Sequence, residues 1–190
     1  MPFFYKGVGI GTHWYLNDPR TSGGFRPHQP GIHEVAEFVN HISNATTTSP
    51  YISLTRSYEV AYEYANEASR TMPTATLRPR VYRIRLNDPL PPGIVLYDPI
   101  EVIAAMVPGP LANIPYHHDG SMNVIVGLAQ PNTPQGQAYL SKRIMLPGGS
   151  FGVTGAKVTP ELNALVRAIR DAEVLCLGTI PSGMIDLLPT

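Results

Sequence analysis

Hydrophobic residues at every second position mark the clearest strand of the chain, over residues 81–86. Tyr82, Ile84 and Leu86 share one side of this strand and two arginines occupy the other, which predicts a half-buried position in a sheet. Short runs of β-branched and aromatic residues, bounded by turn formers, predict further strands. These runs cover residues 3–8, 50–55, 94–96, 123–128 and 174–177.

Apolar residues at a helical spacing of i, i+3, i+4 and i+7 predict a helix over residues 33–44. Ser57 is placed to cap a second helix over residues 58–68, because a serine oxygen can accept a hydrogen bond from an amide of the first turn. The predicted buried face of this second helix consists of Val60, Ala61, Tyr64 and Ala65.

The second half of the chain carries weaker patterns. A short helix is predicted over residues 101–106, and a longer helix begins at the cap residue Thr159 and ends near Ala172. Residues 12–31 are dense in glycine, proline and other turn formers, and residues 147–155 are rich in glycine, so both segments are predicted to be loops.

Composition narrows both the fold class and the function. Strands and helices mix with no internal repeat and no dividing linker, which predicts one α+β domain over residues 1–190, with helices flanking a sheet. Lysine plus arginine and aspartate plus glutamate both number 14, so general electrostatic attraction to nucleic acid or an anionic membrane is excluded. The single cysteine, Cys176, excludes an intramolecular disulfide and a cysteine-based zinc site.

The sequence carries no signal for a membrane or a secretory route. Its longest clean apolar run, residues 102–107, is far shorter than the roughly 20 residues of a membrane-spanning helix. Residues 1–7 lack a basic region followed by an apolar stretch, so they do not look like a secretory signal. We therefore expect no membrane partner and a site of action in a reducing cytosol.

Three short segments follow one another in a suggestive order. Tyr-Lys-Gly at residues 5–7 ends the first strand, and Ser-Leu-Thr at residues 53–55 lies on a strand that runs straight into a helix. Asp-Ala-Glu at residues 171–173 opens a strand, and a Gly-Thr-Ile-Pro turn follows at residues 178–181. This order resembles the ADP-ribosyltransferase fold, in the branch related to cholera toxin, across most of the chain.

The resemblance implies a fold and a set of roles. The fold would be a split, mostly antiparallel sheet that holds NAD in its cleft, and NAD would be a consumed substrate, so that no cofactor is needed. Glu173 would be the catalytic carboxylate, Ser53 would orient it, and Asp171 would stand at the position that influences acceptor choice. Lys6 and the adjacent Gly7 would contact NAD, with the Lys6 ammonium near the diphosphate.

This sequence departs from the family pattern in each motif. Lys6 stands where the family has Arg, which keeps the charge but loses the planar, bidentate fork. Leu54 and Thr55 replace the second and third residues of a Ser-Thr-Ser motif, so that only the Thr55 hydroxyl remains beside Ser53, and Thr55 would contact NAD. Asp171 replaces Glu or Gln, which leaves the acceptor open among a protein side chain, a nucleic-acid base and a small molecule.

The chemistry of NAD cleavage agrees with a single carboxylate. Breaking the bond between nicotinamide and ribose builds positive charge on the ribose carbon, and a facing carboxylate stabilises that charge. Glu101 also precedes an apolar pair and is the alternative acid, but the Gly-x-Ile-Pro turn follows only Glu173. The alternative interpretation, which the order of the three motifs disfavours, is purely structural. In it Lys6 is a solvated lysine at a strand end, Ser53 is a half-buried strand hydroxyl, and Glu173 is a surface acid at a helix end.

Three further residues are candidates for contact with NAD. His13 and Trp14 follow the first strand, in a region where the branch related to diphtheria toxin uses a histidine for the adenosine ribose, and an indole can stack on an aromatic base. Tyr58 could stack on nicotinamide, although its helical spacing also fits core packing. His117 and His118 would point to opposite sides of an extended chain, so we expect no metal site.

These observations together lead us to expect a mono-ADP-ribosyltransferase, a toxin-like enzyme that cleaves NAD and passes ADP-ribose to an acceptor. Two alternatives stay open. With water as the acceptor, the chain would be an NAD glycohydrolase. A non-catalytic binding module that kept the fold would explain the lysine at position 6.

Overall fold

A computed structural model describes residues 3–44, 48–104, 144–145, 151–152, 164 and 167–190. The chain divides into two compact units, the first made of residues 1–33, 48–97 and 174–190 and the second of residues 34–47 and 98–173. The expectation of one domain over residues 1–190 stays a prediction. Several predicted features lie outside the described residues: the strand over residues 123–128, the cap at Thr159, and both His117 and His118.

Strands and helices mix along the described chain, which is the α+β class that the sequence predicts. The elements in chain order are β1 (Phe3–Val8), α1 (His13–Leu16), α2 (Val35–Asn44), β2 (Tyr51–Thr55), α3 (Tyr58–Glu67), β3 (Arg80–Arg85), β4 (Val95–Tyr97), α4 (Pro99–Ala104), β5 (Ile144–Met145), β6 (Phe151–Gly152), β7 (Glu173–Leu177), a 3-10 turn (Ser182–Met184) and β8 (Ile185–Leu188).

Six of these strands form one sheet, in the spatial order β4-β7-β2-β1-β3-β8. Every strand pair with a described register is antiparallel. β1 lies inside the sheet and pairs with β3 along its whole length, from Phe3 opposite Arg85 to Val8 opposite Arg80. Between β1 and β2 the described register contains a single pair, Tyr5 opposite Thr55. β5 and β6 form a separate two-stranded sheet.

One face of the six-stranded sheet carries the core of the first unit. Alternation along β1 and β3 puts Phe4, Val8, Tyr82 and Ile84 on this face, and all four are buried. Burying an apolar side chain of this size contributes about 1.5–3 kcal/mol. Lys6 lies between Phe4 and Val8 on the same face, opposite Tyr82 in register. β1 therefore carries one charged side chain on a face that is otherwise apolar.

Helix α3 packs on the other face of β1. Its predicted cap is confirmed, because the Ser57 hydroxyl accepts a hydrogen bond from the Val60 amide at 3.3 Å. Ala61 and Ala65 are buried, and a Cβ atom on Gly7 would collide with the carbonyl oxygen of Ala61. The helix can lie this close to the strand only because the facing positions are small.

Three predictions from the sequence were wrong in detail. Tyr64 was predicted on the buried face of α3 but is 42% exposed, because the alanines make a narrow contact that excludes it. Residues 12–31 are not loop throughout, since α1 forms where the amides of Tyr15 and Leu16 both donate to the Thr12 carbonyl. Phe151–Gly152 belongs to β6 and not to a loop.

The second unit contains two of the predicted helices in slightly shifted positions. α2 begins at Val35, two residues after the predicted start. α4 begins at Pro99, two residues before the predicted start at 101, because the Asp98 carboxylate accepts a hydrogen bond from the Ile100 amide at 3.0 Å. Residues 167–170 are helical, which agrees with the predicted end of a helix near Ala172.

Candidate ligand-binding site

Lys6 places a positive charge at the edge of the core of the first unit. Its Nζ atom donates a hydrogen bond to the carbonyl oxygen of Ser53 at 3.1 Å and lies 5.8 Å from the centroid of the Phe25 ring. A cation over an aromatic face is stabilised by about 0.5–2 kcal/mol. The two contacts hold the half-buried ammonium at a defined place on the sheet.

Phe25 is the fixed centre of an aromatic group. Its backbone pairs with that of Ile180, with the Phe25 amide 3.0 Å from the Ile180 oxygen and the Ile180 amide 2.9 Å from the Phe25 oxygen. The Phe25 ring is fully buried and meets Tyr82 edge-on, with ring centroids 5.5 Å apart. The half-buried Trp14 ring also packs edge-on against the Phe25 ring, with centroids 5.2 Å apart and ring planes at 78°. Such edge-to-face pairs add about 0.5–1.5 kcal/mol to area burial.

Two exposed histidines border this aromatic group. The His13 ring lies edge-on to Trp14, with centroids 4.6 Å apart, and the His28 ring lies 6.3 Å from Trp14 and 5.7 Å from His13. The protein covers part of the His28 ring, and this partial desolvation, the neighbouring His13 and the Lys6 ammonium together lower the pKa of His28. We call Lys6, His13, Trp14, Phe25 and His28 the Trp14 cluster. It combines an indole face with the Lys6 ammonium and two imidazole rings.

The segment that carries Trp14 is held to the sheet by Arg80 of β3. The Arg80 guanidinium lies over the Tyr15 ring at 4.3 Å and donates to the Tyr15 carbonyl at 3.0 Å. The Asp18 carboxylate binds Arg20 at 2.7 Å and lies 3.8 Å from Arg80, and the hydrogen bond from Arg20 lowers the pKa of Asp18. These contacts give the short helix α1 a fixed position despite its four residues.

Ser53 and Thr55 lie on the side of β2 that faces away from the core residue Leu54. Lys6 accordingly meets the Ser53 carbonyl and not its hydroxyl. The Thr55 hydroxyl oxygen accepts a hydrogen bond from the Ser57 amide at 3.0 Å, at the junction between β2 and α3. Thr55 therefore has a local role in starting the helix.

Two residues predicted to contact NAD lie on the opposite face of β1 from Lys6. Gly7 faces the backbone of Ala61 in α3. The Tyr58 ring is edge-on to Tyr5 at 6.0 Å, and its hydroxyl donates to the Pro189 carbonyl at 3.3 Å. The structure does not bring Tyr58 together with the Trp14 cluster, and its contacts are those of a packed surface aromatic.

Glu173 opens β7 and is 8% exposed. Two residues earlier, the Asp171 carboxylate accepts hydrogen bonds from the Arg170 guanidinium at 2.6 and 2.8 Å. Ala172, between them, has a φ angle of 45°, a left-handed conformation that costs a residue with a Cβ atom about 1–2 kcal/mol. The Arg170 guanidinium neutralises the Asp171 carboxylate, which is the predicted acceptor-selecting group.

Glu101, the alternative acid, has a different environment. It lies in the first turn of α4 and its side chain is exposed. An acid at this position is favoured by the helix dipole. These are the features of a helix-start acid, whereas Glu173 is buried.

Several residues of this region were missed by sequence reasoning. Phe25 and His28 lie in the predicted loop, and only their residue types, an aromatic and a histidine near Trp14, could have pointed to them. A second aromatic group is formed around His33, whose ring stacks on Tyr97 at 4.3 Å and whose Nδ1 atom is 2.8 Å from the Tyr51 hydroxyl. Nothing in the local sequence indicates this contact.

A metal-holding cluster and a membrane-spanning helix are both absent from the described part of the chain. There, no three residues among His, Cys, Asp and Glu lie close enough to hold a metal ion together. In the same residues, no helix combines the length and the hydropathy needed to cross a membrane. No protein-family model matches the chain, and no curated protein or solved structure matches it. Function is therefore inferred from the residues and their geometry.

Proposed function

We propose that this chain is a mono-ADP-ribosyltransferase that cleaves the nicotinamide–ribose bond of NAD and transfers ADP-ribose to an acceptor. One observation carries the proposal. The three motif segments, far apart in the sequence, belong to strands that are direct neighbours, because β7, β2 and β1 are consecutive in the sheet. A site built from all three motifs requires their strands to be neighbours, and this strand order meets that requirement.

The register between β1 and β2 supports the split sheet of this proposal. β1 pairs with β3 along its full length but with β2 at Tyr5 and Thr55 alone. In the proposed fold the first and second motif strands separate beyond this pair, and a dinucleotide would enter where they do. The Lys6 ammonium lies at this junction, bonded to Ser53 of β2.

Each motif residue has a role in the proposed reaction. Glu173 stabilises the positive charge that develops on the ribose carbon as nicotinamide leaves. Ser53 orients that carboxylate, and Lys6 neutralises part of the diphosphate charge. Trp14 offers its ring to the adenine base. NAD is consumed, and the acceptor is a protein side chain, a nucleic-acid base or a small molecule.

Nicotinamide release from NAD by the purified chain tests the proposal. Glu173→Gln keeps the size of the side chain and removes its charge, so it should lower kcat by on the order of 10²–10³ while melting normally. Glu101→Gln is the matched control and should lose less than about tenfold. No release by the native chain, or equal small effects of both variants, would overturn the proposal.

A second candidate, a non-catalytic dinucleotide-binding module, is favoured by one contact. The Lys6 ammonium is bonded to the Ser53 carbonyl, so part of its hydrogen-bonding capacity is already used inside the protein. Binding of NAD without nicotinamide release would select this module. Labelled ADP-ribose that stays in solution, with nicotinamide release, would instead identify water as the acceptor and the chain as an NAD glycohydrolase.

A further inference from the structure

The two histidines of the Trp14 cluster are arranged to receive one anion together. Their rings meet edge-on at 69°, with centroids 5.7 Å apart, and both side chains are exposed to solvent. A protonated imidazole offers two N–H donors, and a diphosphate presents several acceptor oxygens on a flexible bridge. A single diphosphate can therefore accept from both rings at this separation.

The charges that face these rings are positive or neutral. The groups that act on His28 are His13 from α1 and Lys6 from β1, with no carboxylate among them in the described part of the chain. Arg26 is exposed two residues before His28, and the Cys176 thiol of β7, which Lys6 also influences, stays protonated. Asp18, at the other end of the α1 segment, is bonded to Arg20 and lies close to Arg80.

We propose that His13 and His28, together with Lys6, form a proton-loaded clamp for the diphosphate of a dinucleotide, so that binding takes up a proton and strengthens as the pH falls. This inference rests on the proposed function for the identity of the ligand as NAD or ADP-ribose. It adds His28 to the site, and it makes the affinity for the dinucleotide depend on pH through the two histidines.

The direction of the effect follows from linkage. Partial desolvation, His13 and Lys6 lower the pKa of His28 in the empty site, so this ring is mostly neutral near neutral pH. A bound diphosphate between the rings offsets the mutual repulsion and raises the same pKa, so the protonated form binds the ligand more tightly. Affinity is therefore highest below the pKa of the empty site and declines as the pH rises through that of the occupied site.

The magnitude is that of a typical coupling between two binding events. We expect ADP-ribose to bind on the order of tenfold more tightly at about pH 5.5 than at about pH 8. Adenosine carries the same base and ribose without a phosphate, so its affinity should change less than about twofold over the same range.

Calorimetric titration of the full chain with ADP-ribose tests the clamp without any turnover. The diphosphate of ADP-ribose is a diester and does not titrate in this range, so a change in affinity reports the protein. Repeating the titration in buffers of different ionisation enthalpy counts the protons taken up, which should be on the order of half a proton per ligand. His28→Gln should abolish most of the uptake and flatten the pH profile, and His13→Gln should do the same in part.

His33→Gln is the matched control. It removes an imidazole from the same stretch of chain, but the His33 ring contacts Tyr51 and Tyr97 and not the Trp14 cluster, so the pH profile should be retained. Thermal melting of each variant at both pH values separates unfolding from a loss of affinity.

The outcomes for the clamp and for the proposed function are distinguishable. Nicotinamide release together with pH-independent ADP-ribose binding would overturn the clamp and leave the enzyme in place. Binding that strengthens at low pH and depends on His28, without nicotinamide release, would support the clamp and remove the enzyme. Failure of ADP-ribose to bind at either pH would overturn the clamp.

Discussion

At the scale of single residues, Lys6 combines a structural and a proposed binding role. Its alkyl stem lies on the apolar face of β1 between Phe4 and Val8, and its ammonium is bonded to the Ser53 carbonyl and close to the Phe25 ring. The Ser53 bond and the Phe25 contact hold the ammonium at a defined place in the Trp14 cluster. The same position with a neutral residue would lose both the link to β2 and the charge.

Lys6→Ala should therefore raise the KM for NAD by about tenfold or more, since a hydrogen bond to a charged group contributes about 1.5–3 kcal/mol. Steady-state kinetics of nicotinamide release measures this change, with a melting curve to check the fold. Lys6→Arg keeps the charge and should stay within about threefold of the native KM. An unchanged KM in Lys6→Ala would remove Lys6 from the NAD site.

At the scale of elements, the contact between β1 and α3 depends on residues that lack side chains. Gly7 faces the Ala61 carbonyl, and Gly9 faces the backbone of Ala68 just beyond the helix. The motif glycine at position 7 thus has a packing role in addition to the ligand contact that the family resemblance implies. Any side chain there has to push the whole helix away from the strand.

Gly7→Ala should destabilise the fold by about 1–3 kcal/mol, the usual cost of overpacking a well-packed contact. Urea unfolding followed by circular dichroism gives the free energy of unfolding. Gly183→Ala is the control, because a Cβ atom there meets nothing within 4 Å, and it should stay within about 0.5 kcal/mol of the native chain. Equal free energies for both variants would show that α3 does not pack on β1 as described.

The elements that the sequence predicts well are those with a local signal. The alternation of Tyr82 and Ile84 with arginines, and the Ser57 cap, each identify an element from a few neighbouring residues. α1 has only four residues, too few to show a helical repeat of apolar positions, so no sequence pattern predicts it. The Lys6–Phe25 contact joins β1 to a distant loop, and the Phe25–Ile180 pairing joins that loop to the segment after β7; no local pattern encodes either contact. Motif order is visible in the sequence, whereas strand adjacency is not.

At the scale of the whole molecule, the middle of the sheet is sealed from solvent at Cys176. This residue lies on β7, between β4 and β2, and is fully buried in the core of the first unit. Burial raises the pKa of the Cys176 thiol to about 12, although the Lys6 charge acts in the opposite direction. The reactive thiolate is therefore scarce in the folded chain, and a reagent also has no direct access to the sulfur.

A disulfide reagent such as dithiobis(nitrobenzoate) should react with the native chain at least about 10³-fold more slowly than with the unfolded chain, because exposure requires the sheet to open. Absorbance of the released thiolate follows the reaction. In denaturant, one thiol per chain should react rapidly, since Cys176 is the only cysteine. Rapid labelling of a chain that keeps its native circular dichroism would show that β7 opens on its own.

The position of Trp14 has a spectroscopic consequence. It is the only tryptophan of the chain, its ring is half-buried, and its nearest ring neighbours are His13, His28 and Phe25. Indole emission responds to polarity and charge in the immediate surroundings, so the tryptophan fluorescence of the protein, excited apart from that of its tyrosines, originates beside the histidine pair. The unlabelled chain thus carries a built-in optical reporter at its candidate site, and both the arrival of a base and the protonation of an imidazole can be followed through a single emitting ring.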